Sequence, residues 1–287
     1  MPEALGKIHW SRRAADRLAT SLAVLCVLLV MLPLAAIFIY LVLRGIGSLN
    51  WAFFTQMPKP VGETGGGMAN AIVGSFMILL VGSMIGVPVG VGSGIYLSEY
   101  SRGQFGKLVR FTADVLNGIP SIVIGIAVYA LLVLRQKHFS AFSGGVALGI
   151  MMVPTITRST EEMLRLVPNS IREAALGLGI PQWRSTMSIT LRTAMSGIVT
   201  GIMLAFARVS GETAPLLFTA FGNTFWSTKI NQPIAALPLQ IFVYAISPFD
   251  EWHRLAWGGA LVLIVIIVAT SASVRFVASR GFAGGVR

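Results

Sequence analysis

The chain has 287 residues, of which 55% are hydrophobic and only 11% are charged, and its mean hydropathy is +0.77. This balance excludes a water-soluble globular protein and indicates an integral membrane protein whose spanning helices form one unit. The formal net charge is +11, but the charge pattern described below accounts for most of it, so no nucleic-acid partner is expected. Cys26 is the single cysteine, so no disulfide can form within the chain.

Six stretches are mostly apolar over the roughly 20 residues that a helix needs to cross a bilayer. They are Thr20–Leu43, Ala69–Leu97, Phe111–Leu134, Gly144–Leu164, Thr193–Phe221 and Leu255–Ala278. The first run is too long for a cleaved signal peptide, so we expect it to remain as a span. The sequence thus predicts an all-α polytopic membrane protein with one transmembrane domain at 20–280, a cytoplasmic segment at 1–19 and a cytoplasmic tail at 281–287.

Lysine and arginine are unequally divided between the segments that join these spans. Fourteen lie before the first span, in the second and fourth loops and near the C terminus, whereas six lie in the first, third and fifth loops. The positive-inside rule therefore predicts that both termini and the fourth loop are cytoplasmic. Frequent glycine and proline within the spans, as at 86–94 and 117–121, indicate closely packed helices.

The fourth loop contains signals for a short polar helix. Ser170 and Glu173 have the spacing of a capping box, and Gly179 followed by Pro181 is typical of a left-handed C-terminal cap. We therefore expect a helix at Ile171–Leu178. Four apolar residues have the spacing of one helix face that needs a partner groove: Ile171, Ala174, Ala175 and Leu178.

The amino-acid sequence of this loop, residues 170–192, resembles the EAA loop of ABC-importer permeases. The residues at the matching positions are Glu173, Ala174, Ala175 and Gly179. The resemblance implies a coupling helix that docks on a separate ATPase subunit. Arg192 departs from the pattern, because many members have proline there. From the spacing alone, an ordinary amphipathic cytoplasmic loop remains the alternative.

Three charged residues within the predicted spans are not explained by orientation. Arg208 and Glu212 lie in the fifth span, where a charge at the helix centre costs about 2.5–3.5 kcal/mol, and Arg158 lies in the fourth. A structural ion pair between Arg208 and Glu212, four residues apart, is one interpretation; we favour a substrate pathway. Arg158 has the alternative of pairing locally with Glu161 or Glu162.

The fifth loop, Asn223–Arg254, contains Pro233, Pro238 and an apolar stretch, Leu239–Ile246, that is too short to span. It predicts a re-entrant or interfacial helix on the outer side.

The sequence around Arg208 and Glu212, from Ala207 to Ala220, resembles the phosphate-specific ABC-importer permeases of the PstA type, and the similarity covers nearly the whole chain. Further matching segments are 95–100, 117–123, Arg158 with Glu161 and Glu162, and 235–242. The resemblance implies the type I importer permease fold in a bacterial inner membrane. It also implies a heterodimer with a sister permease, two copies of a cytoplasmic ATPase that bind ATP and Mg, and an external phosphate-binding protein that delivers inorganic phosphate.

No nucleotide-binding or catalytic motif accompanies these features. The Gly-Lys pairs at Lys7 and Lys107 are not followed by serine or threonine, so no phosphate-binding loop is present and this chain is expected to bind no ATP. The three histidines, His9, His138 and His253, lack metal-ligand spacing, and we expect neither a metal site nor a catalytic residue. A permease for another oxyanion, such as sulfate or molybdate, and a secondary transporter remain alternatives, although no internal repeat supports the latter.

Overall fold

The computed structural model describes residues 10–101 and 103–283, and these residues form helices joined by short connections. Residues 1–9 of the predicted segment 1–19, residues 284–287 of the predicted tail 281–287, and Arg102 lie outside the described residues. In chain order the helices are α1 (Trp10–Ile46), α2 (Trp51–Thr55), α3 (Ala69–Ile95), α4 (Gln104–Gly118), α5 (Ser121–Val128), α6 (Leu134–Gln136), α7 (Ala141–Arg165), α8 (Asn169–Gly177), α9 (Gln182–Ser185), α10 (Leu191–Ser210), α11 (Ala214–Thr219), α12 (Leu237–Ala245) and α13 (Asp250–Ala283). Three π-helical turns continue α3, α5 and α9, at Tyr96–Tyr100, Tyr129–Val133 and Thr186–Thr190.

Five of the helical segments are long and apolar enough to cross a bilayer, and a sixth candidate is a bent pair of helices. The five are Ala14–Ile46, Ala69–Tyr100, Ala141–Arg165, Gln182–Ser210 and Asp250–Phe276. The first, second, fourth and last predicted spans therefore correspond to α1, α3, α7 and α13. The all-α fold is confirmed.

The third predicted span, Phe111–Leu134, is wrong as a single straight helix. The chain instead forms α4 and α5, which meet at a bend of 104°. Pro120 causes the break, because its ring disfavours helical geometry at the preceding residue, and Ile119 is extended at φ −72° and ψ 130°. Only if this bent pair crosses the membrane as one unit does the number of candidate spans reach six.

The fifth predicted span, Thr193–Phe221, has wrong boundaries at both ends. The helical segment begins at Gln182 and ends at Ser210, and the short helix α11 follows after a break. Pro215 explains the end, because proline provides no amide hydrogen and its ring would clash with the carbonyl of Gly211 in a continuous helix. Proline is well suited to the first turn of a new helix, and Pro215 lies there in α11.

The centre of the bundle is the contact between α3 and α7, and glycines bring the two helices close together. A stripe of glycines at four-residue spacing on α3 consists of Gly82, Gly86, Gly90 and Gly94, and Gly145 and Gly149 face it from α7. Small residues at this spacing allow close backbone approach where lipid provides no hydrophobic driving force. The predicted close packing of the 86–94 segment is therefore confirmed. Buried Ile78, Leu148, Met152 and Ile156 complete this core.

At one end of the bundle, α12 folds back against the start of α3. The amide of Leu237 donates to Ser75 Oγ at 2.6 Å, and Asn70 Nδ2 donates to the carbonyl of Asn223 at 2.9 Å. The predicted short helix at Leu239–Ile246 is thus present as Leu237–Ala245. Helix α1 packs on α13, and near the C-terminal end of α1 the Tyr40 and Trp257 rings lie 5.2 Å apart.

Candidate functional site

Helix α8 lies in the loop between α7 and α9, where the sequence predicts a coupling helix. It begins at Asn169, with Pro168 as the N-terminal cap residue and no side-chain cap hydrogen bond. The predicted capping box of Ser170 and Glu173 is therefore wrong. The reason is that Pro168, with φ −57° and ψ 140°, is the last non-helical residue before α8, so the helix starts before Ser170 and places that residue inside the first turn.

The predicted left-handed turn at Gly179 is confirmed. Its φ is +75°, its amide donates to the carbonyl of Leu176 at 2.9 Å, and the amide of Ile180 donates to the carbonyl of Ala175 at 3.1 Å. These two bonds form the Schellman arrangement, in which glycine tolerates the positive φ without strain. The helix therefore ends in a sharp turn that leads directly into α9.

The four apolar residues of the predicted docking face do not share one accessible surface. Ala175 is only 3% exposed, and Ile171 packs against an apolar cluster of the chain itself. Ala174 and Leu178 are exposed, and Leu178 is 80% exposed. The surface available to a partner instead combines the exposed side of α8 with neighbouring apolar residues of the same end: Leu166, Leu176, Leu178, Trp183 and Met187.

A buried ion pair joins α8 to the end of α3. Arg172 Nη2 donates to Glu99 Oε1 at 2.8 Å, and Arg172 Nε donates to Glu99 Oε2 at 3.2 Å. The side chains are 20% and 5% exposed, respectively. Bidentate arginine–carboxylate pairs of this kind are both strong and geometrically specific. We call this contact the Glu99–Arg172 clamp.

A second group of charges, the Glu161 cluster, joins α4 to α7. Glu161 Oε1 lies 2.7 Å from both Arg110 Nε and Arg165 Nη2, and the Glu161 side chain is only 3% exposed. Arg158 Nη1 contacts the other carboxylate oxygen at 3.4 Å. Arg158 also donates two hydrogen bonds to Asp114. Its Nε donates to Oδ1 at 2.9 Å, and its Nη2 donates to Oδ2. Of the predicted local partners of Arg158, Glu161 thus forms the contact, whereas Glu162 is exposed.

Arg208 and Glu212 are placed differently from the prediction. Arg208 lies in the last turn of α10 and not at mid-helix, and Glu212 lies beyond the end of that helix. The two residues therefore do not share a helix face, and in the described part of the chain they form no ion pair. Arg208 is exposed and Glu212 is half-buried. An exposed guanidinium at a helix end is available to bind an anion.

Among residues 10–101 and 103–283, no group of three or more histidine, cysteine, aspartate or glutamate side chains has the geometry of a metal site. His253 Nε2 lies 2.6 Å from the carbonyl of Ser247, and His138 is exposed. His9 lies outside the described residues.

The sequence pattern does not mark the partners that complete these sites. Glu99 lies in the matching segment 95–100, Arg172 is one of the fourteen lysines and arginines on the predicted cytoplasmic side, and Asp114 belongs to no motif. No short-range signal pairs these residues, since Glu99 and Arg172 are 73 positions apart and Asp114 and Arg158 are 44 positions apart.

Comparison with known proteins identifies the family of this chain. The family model described as "Binding-protein-dependent transport system inner membrane component" matches residues 86–281. The chain belongs to this family. It is therefore a multi-pass membrane protein, and the matched region of the family model includes both the α8 loop and the Arg208 region.

Curated relatives agree with the family assignment, and a solved structure is similar in fold. The phosphate transport system permease protein PstA of Yersinia pestis is 45% identical over 93% of this chain and 90% of that protein. The protein of the same name from Xylella fastidiosa strain Temecula1 is 49% identical over 82% of both chains. In fold, the chain is similar to the inward-facing MetNI methionine ABC transporter, with a TM-score of 0.58 at 16% identity over 77% of this chain and 98% of that one.

Proposed function

We propose that this chain is a transmembrane subunit of an ATP-driven importer of inorganic phosphate and forms half of the translocation path. The observation that carries this proposal is the 45% identity to a phosphate transport permease over 93% of the chain. This relationship favours phosphate over sulfate or molybdate as the substrate.

The substrate pathway is proposed to include Arg208, Glu212 and Arg158. A guanidinium keeps its charge at any working pH and presents a planar set of donors that matches phosphate oxygens. Arg208 supports this role because its guanidinium is exposed in the isolated chain and forms no ion pair with the described residues. Its position is therefore best explained by a polar path between this chain and a sister permease. Arg158 is the second cationic residue of the proposed path, nearer the cytoplasm, and its guanidinium contacts Asp114.

The energy for transport is proposed to come from a separate ATPase, present in two copies, which binds ATP and Mg. This chain has no phosphate-binding loop of its own. Glu173, Ala174 and Gly179 of the α8 loop, with the exposed apolar residues near them, form the proposed docking surface. Ala175 supports this surface from inside. Both termini are proposed to lie in the cytoplasm. An external binding protein is proposed to deliver phosphate to the complex.

Phosphate uptake by the assembled complex in proteoliposomes tests the proposal. We expect ATP-dependent uptake that Arg208→Gln abolishes while the complex still assembles. Arg192→Gln provides the matched control, because Arg192 is also an exposed arginine of α10, and it should transport normally. Wild-type uptake in the Arg208→Gln variant would exclude the assigned role, and absence of ATP-dependent uptake in the wild-type complex would refute the function.

Selectivity against sulfate provides a separate test of Glu212. Phosphate at neutral pH retains a P–OH donor that an ionised carboxylate accepts, whereas sulfate has no proton to donate. Glu212→Gln should therefore reduce phosphate transport and weaken the exclusion of sulfate. Unchanged sulfate exclusion in this variant would remove Glu212 from the selectivity mechanism.

A further inference from the structure

The coupling helix α8 is held to the rest of the chain by little apolar contact. Ala175 is its one buried residue, and Ile171 adds a half-buried side chain. Burial of so few side chains is a weak mechanical connection, because the hydrophobic contribution scales with the apolar area removed from water. The polar contacts of Arg172 therefore provide the main attachment of α8 to the membrane helices.

Arg172 contacts two different membrane helices at once. Besides its two bonds to Glu99 at the end of α3, its Nη2 donates to the carbonyl of Leu164 at 2.7 Å and its Nη1 to that of Val167 at 2.6 Å. Leu164 lies in the last turn of α7, and Val167 lies just beyond it. The guanidinium thus joins the ends of α3 and α7 to α8.

Glu99 is contacted from the other side of the loop as well. Gln182 Nε2, at the start of α9, donates to the backbone carbonyl of Glu99 at 2.9 Å. Glu99 itself lies in the π-helical turn Tyr96–Tyr100. This turn is the last turn of the α3 segment, because Ser101 after it is extended, so Glu99 lies where the membrane helix meets the loop.

Stability alone is a poor explanation for the clamp. Burying two charges costs desolvation free energy, and a well-packed apolar pair of similar volume is often at least as stabilising. What an ion pair adds is a single geometry, since the guanidinium and carboxylate bind in one planar orientation. A displacement of α8 would therefore pull on the ends of α3 and α7, which are themselves closely packed along the glycine stripe.

We infer that the Glu99–Arg172 clamp is the link through which movement of the coupling helix reaches α3 and α7, and with α7 the pathway residue Arg158. Glu99 and Arg172 are thus positioning residues for transport. The inference rests on the proposed function, because it requires an ATPase that moves α8.

The test measures ATP hydrolysis and phosphate uptake in the same proteoliposomes, with the sister permease, the ATPase and the loaded binding protein present. In Glu99→Gln we expect the complex to assemble and hydrolyse ATP, but phosphate moved per ATP should fall about fivefold or more, the lower limit of typical coupling between sites. Glu162→Gln is the control, because Glu162 is an exposed carboxylate near the same end. If the wild type is coupled and Glu99→Gln has the same ratio, the inference is refuted while the proposed function stands.

A second variant separates transmission from a merely structural role. In a Cys26→Ser background, Glu99→Cys with Arg172→Cys should be uncoupled until a short bifunctional thiol reagent joins the two positions. The reagent has access through a polar cavity of about 370 Å³ that both residues line. Recovery of the phosphate-to-ATP ratio on cross-linking supports the link. Coupling before the reagent is added, no recovery after complete cross-linking, or failure of Glu99→Gln to assemble would each overturn it.

Discussion

The contact between α3 and α7 gives a sharp prediction, because two glycines of the same helix face different surroundings. A Cβ added at Gly90 would lie 2.7 Å from Ile156 Cβ and 3.2 Å from the carbonyl oxygen of Val153. A Cβ added at Gly92 would meet no atom within 4 Å. Carbon atoms pack best at about 3.5–4.0 Å, so Gly90→Ala requires the helices to separate locally by about 1 Å, whereas Gly92→Ala requires no shift.

The magnitude follows from comparing the two variants. Alanine favours a helix over glycine by about 0.5–1 kcal/mol at either position, and this contribution cancels in the difference. The remaining cost of overpacking at Gly90 is about 1–3 kcal/mol. We therefore expect the free energy of unfolding of Gly90→Ala to be lower than that of Gly92→Ala by this amount.

Unfolding in detergent, followed by the intrinsic fluorescence of the six tryptophans, measures this difference. Gly90→Ala should unfold at a lower concentration of denaturing detergent, and Gly92→Ala should unfold at the wild-type concentration or above it. Equal midpoints for the two variants would show that α3 and α7 are not in close contact at Gly90, and the packing argument would then fail.

Three further predictions concern the loop end of the bundle. Gly179→Val forces a β-branched residue to a φ of +75°, which costs about 1–2 kcal/mol, so we expect less phosphate to be moved per ATP in proteoliposomes. Gly177→Val is the control, because this position is in open space at ordinary φ, and it should lower the phosphate-to-ATP ratio less. Equal ratios in the two variants would contradict the role of the turn. Leu178→Cys in a Cys26→Ser background should react with an impermeant thiol reagent only in inverted vesicles that lack the ATPase, and labelling of intact cells would reverse the proposed topology. Glu161→Gln should lower the free energy of unfolding in detergent by about 1–2 kcal/mol, because the arginines around this buried position lose their carboxylate but remain partly exposed to solvent; a wild-type unfolding midpoint would refute this prediction.

The sequence predicted the features that depend on neighbouring residues. Long apolar runs identified four of the spans nearly to their ends, because a helix in lipid must satisfy its backbone internally and must extend across the hydrocarbon. The turn at Gly179 was also predictable, because a glycine followed two residues later by a proline is a local signal for a left-handed turn at the end of a helix. The motif around Arg208 could be recognised for the same reason, because its residues are contiguous in the sequence.

Local patterns also produced the errors, where two signals competed. The spacing of Ser170 and Glu173 indicated a cap, but Pro168 started the helix earlier. The apolar runs through Pro120 and Pro215 were interpreted as continuous helices, yet proline ended both. In each case the conformational restriction of a single proline outweighed the pattern around it.

By itself, then, the sequence determined that this is a helical membrane protein, approximately where its helices lie and which family motifs it carries. Only the tertiary structure decided which charges meet. Asp114 contacts Arg158 because α4 packs against α7, and Glu99 contacts Arg172 because α3 and α7 pack together and place the end of α3 beside the loop that follows α7. A charge in a low-dielectric environment must find a partner, but hydropathy and spacing do not specify which one, since the partner is chosen by helix packing across many intervening residues.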